Sequence, residues 1–341
     1  MKNLVIGDLH FGTKTNNTQW IEHHINYFNN QIINEIKTKH YDRIIFLGDL
    51  TDIRHAINQH VGCELKNCIR NLSTEYSKSN PHGKIIFVAG NHDYYSPLRE
   101  FEKYNSYELL FGEEFTQVYS NIRFVNDIPY YDLADNALYL PWFYTEDQDL
   151  LITTLNDVKS EFNVETLYCH TDLITWDDNV KNVLGNTKVY SGHIHHYWEE
   201  GNLHNLCAAL PLNFNDVNEK RYIHVIDDGV ISKRIENITT PLFKRIYNEQ
   251  IFEEIQPSFL ENSFVQLLIN KQNINKANYI ERIKEIKKEY GEQYSISVKL
   301  YDNINEIEKM EFAPIQTNIN EFIKTNVPEH LNNKYIMIKE Q

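Results

Sequence analysis

The chain has 341 residues with 33 Lys and Arg against 48 Asp and Glu, a formal net charge of −15. A hydrophobic share of 41% and a charged share of 24% are ordinary for a soluble globular protein, long enough for one large core and a smaller attached module. The acidity argues against strong independent nucleic-acid binding, and no stretch approaches the roughly 20 consecutive apolar residues of a membrane helix.

Leu4-Val5-Ile6 reads as a buried strand running into Gly7-Asp8; the run is too short for a signal peptide, so a cytoplasmic protein is expected. Ile21, Ile25, Phe28, Ile32 and Ile36 recur at helical spacing. Residues 43–47 form a second strand before Gly48-Asp49, residues 63–76 a second helix, and residues 84–88 a third strand before Gly90-Asn91-His92-Asp93. This β-α-β-α-β order predicts a largely parallel, buried sheet. Further strands are expected at residues 137–140, 165–169 and 188–190, and a hairpin around Asp227-Asp228-Gly229. Beyond a boundary near Thr240-Pro241 come strands at 264–269 and 294–301, a charged amphipathic helix at 277–290 and a short helix at 318–325. Cys63, Cys68, Cys169 and Cys207 form no C-x-x-C pair, which removes the zinc-ribbon and redox-motif readings.

The strand ends share one chemistry. Asp8 and His10 follow the first strand, Asp49 the second, Asn91-His92-Asp93 the third, and His170, His193 and His195 the later ones. In a parallel sheet such ends converge on one crevice. Carboxylates, an amide and imidazoles, with no thiolate, suit Mn²⁺, Fe²⁺, Zn²⁺ or Mg²⁺. Two such ions need a bridging carboxylate, and Asp49 on the central strand is placed for it. A bound pair of divalent ions makes a site locally positive whatever the net charge.

GDLH, GDLTD, GNHD, CHTD and GHIH follow in order the five-part signature of calcineurin-like metallophosphoesterases, which this chain resembles over roughly residues 1–196. Within that superfamily it is similar to the SbcD and meiotic-recombination-eleven nucleases, nearest to the recombination endonuclease subunits of T-even-like tailed phages. GDLTDIRHAIN, and SGHIHH followed by LPLNFNDVNEKRYIHVID, carry the narrower likeness. The resemblance implies an α/β fold, a two-sheet sandwich flanked by helices with a small C-terminal α/β capping domain. The corresponding divisions are residues 1–240, 241–311 and a tail at 312–341. It assigns Asp8, His10, Asp49 and His195 to one divalent ion and Asp49, Asn91, His170 and His193 to the other, with Mn²⁺ the expected metal and Mg²⁺ an alternative. His92 would orient the phosphate and serve the leaving oxygen, with Asp93 supporting its ring. The implied reaction is in-line hydrolysis of DNA phosphodiesters. The implied partners are DNA and an SMC-like coiled-coil ATPase, with the nuclease a homodimer inside a heterotetramer and the tail as docking segment. For a phage-encoded chain the compartment would be the host cytoplasm.

Two features depart from the cellular nucleases. Asp52 stands where many carry a histidine, and the glycine-serine-proline element usual after the last motif is absent. Arg54, His55 and Lys14 are candidates for the DNA backbone, with a solvated loop as the competing reading. Tyr94-Tyr95 offers base stacking, though packing is the expected role. His23, His24 and His196 read as ordinary histidines. No P-loop motif occurs, so any ATP-driven step needs another polypeptide. The competing enzymatic reading is a phosphomonoesterase or cyclic-nucleotide phosphodiesterase acting on a small substrate. The Ser/Thr phosphatase branch is disfavoured because Ile53, not Arg, follows Asp52. A non-catalytic binding module on the same scaffold is the remaining reading.

Overall fold

A computed structural model describes residues 1–302 apart from 14–17, 53, 55, 99–102, 214, 215, 218, 262, 275 and 292–294. Lys14, His55, the helix expected at 318–325 and the tail at 312–341 therefore lie outside the described residues. The chain divides into two units, Met1–Leu212 with Glu219–Pro241, and Asn213–Asn218 with the chain from Leu242 onward.

The first unit is built on β1 (Lys2–Ile6), β2 (Arg43–Leu47), β3 (Lys84–Val88) and β4 (Ile122–Val125), which pair in parallel. The hairpin of β11 (Tyr222–Asp227) and β12 (Val230–Glu236) joins antiparallel on the far side of β1, giving the order β12-β11-β1-β2-β3-β4. The largely parallel sheet expected from the sequence is thus mixed, because β11 comes back beside β1 in the opposite direction and turns tightly into β12. A second mixed sheet has the order β5-β6-β7-β8-β10-β9. Its strands are β5 (Tyr130–Asp132), β6 (Ala137–Tyr139), β7 (Thr166–His170), β8 (Lys188–Gly192), β9 (Trp198–Glu200) and β10 (Leu203–Asn205).

Strand periodicity sorts the core into layers. Val5, Ile45, Leu47, Ile86 and Val88 from the first sheet pack with Ala137, Tyr139, Tyr168 and Tyr190 from the second. Their neighbours Leu4, Ile6, Ile44, Phe46 and Phe87 point the other way, onto helices α1 (Thr18–Asn26, continued through a π-type stretch at Tyr27–Ile32 into Ile33–Thr38) and α2 (Gln59–Ser79). On the opposite side Leu138, Leu167, Cys169 and Val189 pack on α3 (Gln148–Glu161) and α4 (Asp178–Leu184). The result is a helix–sheet–sheet–helix sandwich, whose strands are apolar on both faces because both faces are covered. Asp147 and Asp177 cap α3 and α4 by accepting from Leu150 N–H and Val180 N–H, each cap being worth about 1 kcal/mol.

Across the second sheet, Tyr130, Tyr139, Tyr168, Tyr190 and His204 stand in direct cross-strand register and stack with centroid separations of 5.7, 5.1, 5.7 and 5.0 Å. Each such aromatic pair contributes roughly 0.2–1 kcal/mol.

The second unit carries the parallel sheet β13 (Leu242–Tyr247), β14 (Ser263–Asn270) and β15 (Ser295–Tyr301). Helix α5 (Ala277–Tyr290) buries Tyr279, Ile283 and Ile286 against Val265, Leu267 and Ile269 of β14, and its charged residues face outward. Among the described residues no helix is long and apolar enough to cross a membrane.

Candidate metal centre

Every candidate ligand leaves a strand at its carboxyl end. Asp8 and His10 follow β1, Asp49 follows β2, and Asn91 and His92 follow β3; His170 ends β7, while His193 and His195 follow β8. Two adjacent sheets therefore aim their strand ends at one place. The turns are tight enough to hold three non-glycine residues at positive φ, His10 (48°), Asp49 (46°) and His193 (80°). Such conformations cost on the order of 1–3 kcal/mol each and persist where surrounding contacts enforce them. Leu9 and His10 N–H both donate to the Asp49 carbonyl, at 3.1 and 2.8 Å, which ties the first two loops together. Gly48 and Gly90 leave no room for a side chain. A Cβ on Gly48, whose φ is 90°, would lie 2.3 Å from His170 Nδ1, and one on Gly90 would lie 2.3 Å from Asp49 Oδ1.

The donor atoms gather into overlapping groups. One atom each from Asp8, His10 and His195 lie within 4.8 Å of one another, as do atoms from Asp49, His170 and His193, and from His10, Asp49 and His92. Asp49 Oδ2 lies 3.5 Å from His10 Nε2, and its Oδ1 lies 3.3 Å from His170 Nε2. Asn91 Oδ1 stands 3.1 Å from His170 Nε2 and 3.0 Å from His193 Nδ1. His195 Nε2 is 3.7 Å from Asp8 Oδ2, whose carboxylate also accepts His193 N–H at 3.1 Å.

The protonation pattern shows what this cluster requires. His170 Nδ1 lies 2.6 Å from the Leu47 carbonyl, an obligatory acceptor, so Nδ1 carries the proton. Its Nε2 then turns a lone pair toward Asp49 Oδ1 and Asn91 Oδ1, an arrangement of acceptors that needs a cation or a second proton. Burial opposes that proton, yet the fields of Asp49 and Asp8 raise the His170 pKa to about 10. His10 behaves alike. Burial lowers its pKa, but the Asp52 hydrogen bond and the charges of Asp49 and Asp8 raise it to about 9, and its buried Nε2 has no hydrogen-bond partner. Burial and the nearby His170 lower His193 to about 4, so that ring is neutral and available as a ligand at pH 7. Burial pushes Asp8 up, whereas for Asp49 the histidines overcome burial and hold the carboxyl well below its ordinary range. Oxygen and imidazole donors, with His10 and His170 each fixed from behind, fit divalent ions.

His92 stands at the edge of the cluster, half-buried, with its N–H on Asp49 Oδ1 (2.8 Å) and its ring 4.8 Å from that of His10. The expectation that Asp93 supports this ring is corrected. His92 Nδ1 donates instead to the main-chain carbonyl of Asp52 at 2.7 Å. The buried Asp93 carboxylate accepts from Gly90 N–H (2.9 Å), Thr51 N–H (3.0 Å), Leu50 N–H (3.3 Å) and the hydroxyls of Thr51, Ser106 and Tyr107. The Tyr107 proton is shared with the nearer Val88 carbonyl (2.9 Å), and the other donors occupy the lone pairs, so Asp93 staples the loops after β2 and β3 to the chain at Ser106. Arg54 is half-buried just beyond Asp52. Tyr94 is a core residue whose hydroxyl donates to Asn126 O, while Tyr95 is 46% exposed. His24 is fully buried between the carbonyls of Trp20 and Leu9, each 2.7 Å from a ring nitrogen, and His196 pairs with Glu219 at 2.8 Å.

Two contributors escaped the sequence reading. The Asp52 carboxylate lies 3.0 Å from His10 Nδ1, and the buried Arg221 donates to the carbonyl of His195. D-x-x-D spacing signalled the first; the second has no local motif, since 26 residues separate its partners.

A sandwich of two mixed sheets with histidines, aspartates and an asparagine at its strand ends is the architecture of a metal-dependent hydrolase. Residues 1–219 match the family described as calcineurin-like phosphoesterase, and the chain belongs to that family. It is accordingly a metal-dependent hydrolase of phosphoester bonds. No curated protein matches the sequence.

Proposed function

We propose that the protein is a DNA nuclease subunit, hydrolysing phosphodiesters with two divalent ions, Mn²⁺ preferred and Mg²⁺ a substitute. Asp8, His10, Asp49 and His195 would hold one ion, and Asp49, Asn91, His170 and His193 the other. Once bound, such ions lower the pKa of water and stabilise charge on the attacking and leaving oxygens. The chain's own contribution is His92. With Nδ1–H committed to the Asp52 carbonyl, Nε2 is the atom that meets the phosphate, and in the doubly protonated ring its N–H would pass a proton to the leaving oxygen, leaving the neutral imidazole to be reprotonated from water.

One observation carries the nucleic-acid reading. The segment directly after His92-Asp93 carries exposed aromatic rings, Tyr95 at 46% and Tyr104 at 53%, held together by Tyr95 N–H to Tyr104 O at 2.8 Å. Exposed rings close in sequence to His92 suit stacking on bases, worth about 1–3 kcal/mol per base. The motif likeness to SbcD-type nucleases points the same way and supplies the partner, an SMC-like coiled-coil ATPase that binds a nuclease dimer through residues 312–341. A chain of net charge −15 neutralises few phosphates, so a basic groove on the ATPase provides most of the DNA affinity.

The test is the pure protein with Mn²⁺, offered end-labelled duplex DNA, a small chromogenic phosphodiester, a phosphomonoester and a cyclic nucleotide, with and without the ATPase. Cleavage of DNA and of the chromogenic diester, with DNA cleavage alone falling in Tyr95→Ala/Tyr104→Ala, supports the reading. Turnover of the monoester or cyclic nucleotide with DNA left intact in every mixture overturns it. Removal of residues 312–341 should abolish co-purification with the ATPase and leave the chromogenic reaction unchanged.

A further inference from the structure

Asp52 reaches two imidazoles with two different groups. Its main-chain carbonyl lies 2.7 Å from His92 Nδ1, while its side-chain Oδ1 lies 3.0 Å from His10 Nδ1. The residue itself is fixed, since Asp52 N–H donates to Phe11 O at 3.2 Å and Phe11 bridges Thr51. A carboxylate can only accept, so His10 carries its proton on Nδ1 and presents Nε2 as a lone pair. That Nε2 is buried, has no hydrogen-bond partner, and lies 3.5 Å from Asp49 Oδ2. In the neighbouring group the same task falls to a neutral acceptor, the Leu47 carbonyl 2.6 Å from His170 Nδ1. One histidine is thus backed by an anion and the other by a peptide group.

We infer that the Asp52 carboxylate is a positioning residue for His10, setting its tautomer and strengthening the Asp8–His10–His195 group as a cation site, and that it is not the partner of His92. The carbonyl that holds His92 is present whatever side chain stands at position 52. Removing the carboxylate therefore weakens one of the two cation sites and leaves His92 oriented. Loss of such an orienting partner typically weakens metal binding about 10–100-fold. This inference rests on reading the two groups as cation sites and is independent of whether DNA is the substrate.

The experiment uses the full chain with Asp52→Ala and the isosteric Asp52→Asn. Bound Mn²⁺ is counted after equilibrium dialysis, and the coupled two-ion signal is followed by electron paramagnetic resonance. The wild type should bind two ions. Asp52→Ala should hold one at limiting Mn²⁺ and regain the second only at about 10–100-fold higher concentration. Asp52→Asn should fall between, because its amide oxygen still accepts from Nδ1–H without the charge. Turnover of the small chromogenic phosphodiester should recover at saturating Mn²⁺ in both variants, whereas in His92→Ala it should not. Two ions retained in Asp52→Ala, with low turnover at every Mn²⁺ concentration, would assign the carboxylate to His92 or the substrate and overturn the inference. Equal loss of both ions would overturn it too. A wild type that never binds two ions would instead remove the binuclear reading beneath it.

Discussion

The two ends of the parallel strands in the first unit bury the same kinds of charged group and treat them oppositely. At the amino ends Arg43 Nε meets Asp132 Oδ2 at 2.8 Å, with both side chains almost wholly buried, and Ala134 N–H covers the other carboxylate oxygen. Charge there balances within the chain. At the carboxyl ends Asp8 and Asp49 are equally buried, yet among the described residues their ion pairs are all with histidines. In the metal-free protein His10 and His170 face those carboxylates with a proton taken from solution, their pKa values raised to about 9 and 10, and a divalent ion competes for the same lone pairs. A buried carboxylate is costly unless something cationic faces it. The amino ends hold their cation permanently; the carboxyl ends are built to take one from solution.

The largest effect should come from Asp49→Asn. Asp49 touches both donor groups, so the substitution should remove most bound metal and nearly all hydrolysis while circular dichroism still reports a folded chain. Two bound ions with normal turnover would erase the contrast between the ends. His92→Ala should come next, with a rate loss of ~10²–10⁴-fold and both ions retained, since general acid catalysis contributes on that order. Metal analysis showing loss of ions would make His92 a ligand instead. Arg43→Met should affect stability alone, by about 3 kcal/mol, because removing one partner of a buried pair leaves the other uncompensated. Denaturant unfolding measures it, and loss of activity in the still-folded variant would mean the ends are not separable. Burial opposes ionisation of Asp132, but Arg43 holds its pKa below the ordinary value. The pair's contribution is therefore present above about pH 3.9 and lost as pH falls through the lower folded value.

The smallest signal is the pH dependence at the carboxyl ends. In metal-free protein the raised pKa values of His10, about 9, and His170, about 10, give a stabilisation complete below about pH 6.5 and lost as pH rises through the folded values. Divalent ions compete with those protons, so apparent metal affinity should rise over the same interval. Melting temperatures in chelator should decline between pH 6.5 and 9, and the decline should shrink with Mn²⁺. A rise in chelator would show that the histidines are not facing the carboxylates.

Much of this was legible in the sequence, for a physical reason. A five-residue apolar strand followed at once by a glycine and a ligand, as in Leu47-Gly48-Asp49, writes secondary structure and site into consecutive letters. The short strands β5, β9 and β10, Tyr-Tyr-Asp, Trp-Glu-Glu and Leu-His-Asn, left no such signal because none is a continuous apolar run, whereas the equally short β6, Ala-Leu-Tyr, is apolar throughout and was legible. Asp93 was misassigned because its role was carried over from the resemblance, whereas the turn sends its side chain and that of His92 to different neighbours. Arg221 stayed hidden because what it holds at the site is the backbone carbonyl of His195, which no residue type announces.

The stacked rings of the second sheet act as a gauge. Tyr168 on β7 lies two residues before His170, and Tyr190 on β8 lies three before His193. A slip of one residue by either strand would turn its ring to the opposite face and break a stack on each side. The backbone ladder sets the distance between the strands, and the stacked tyrosines favour the one register in which His170 and His193 reach the rim together. Coupled tyrosines also absorb as a group, so the stack adds to the near-ultraviolet circular dichroism, and a slipped register would change that signal without a label and without touching the metal centre.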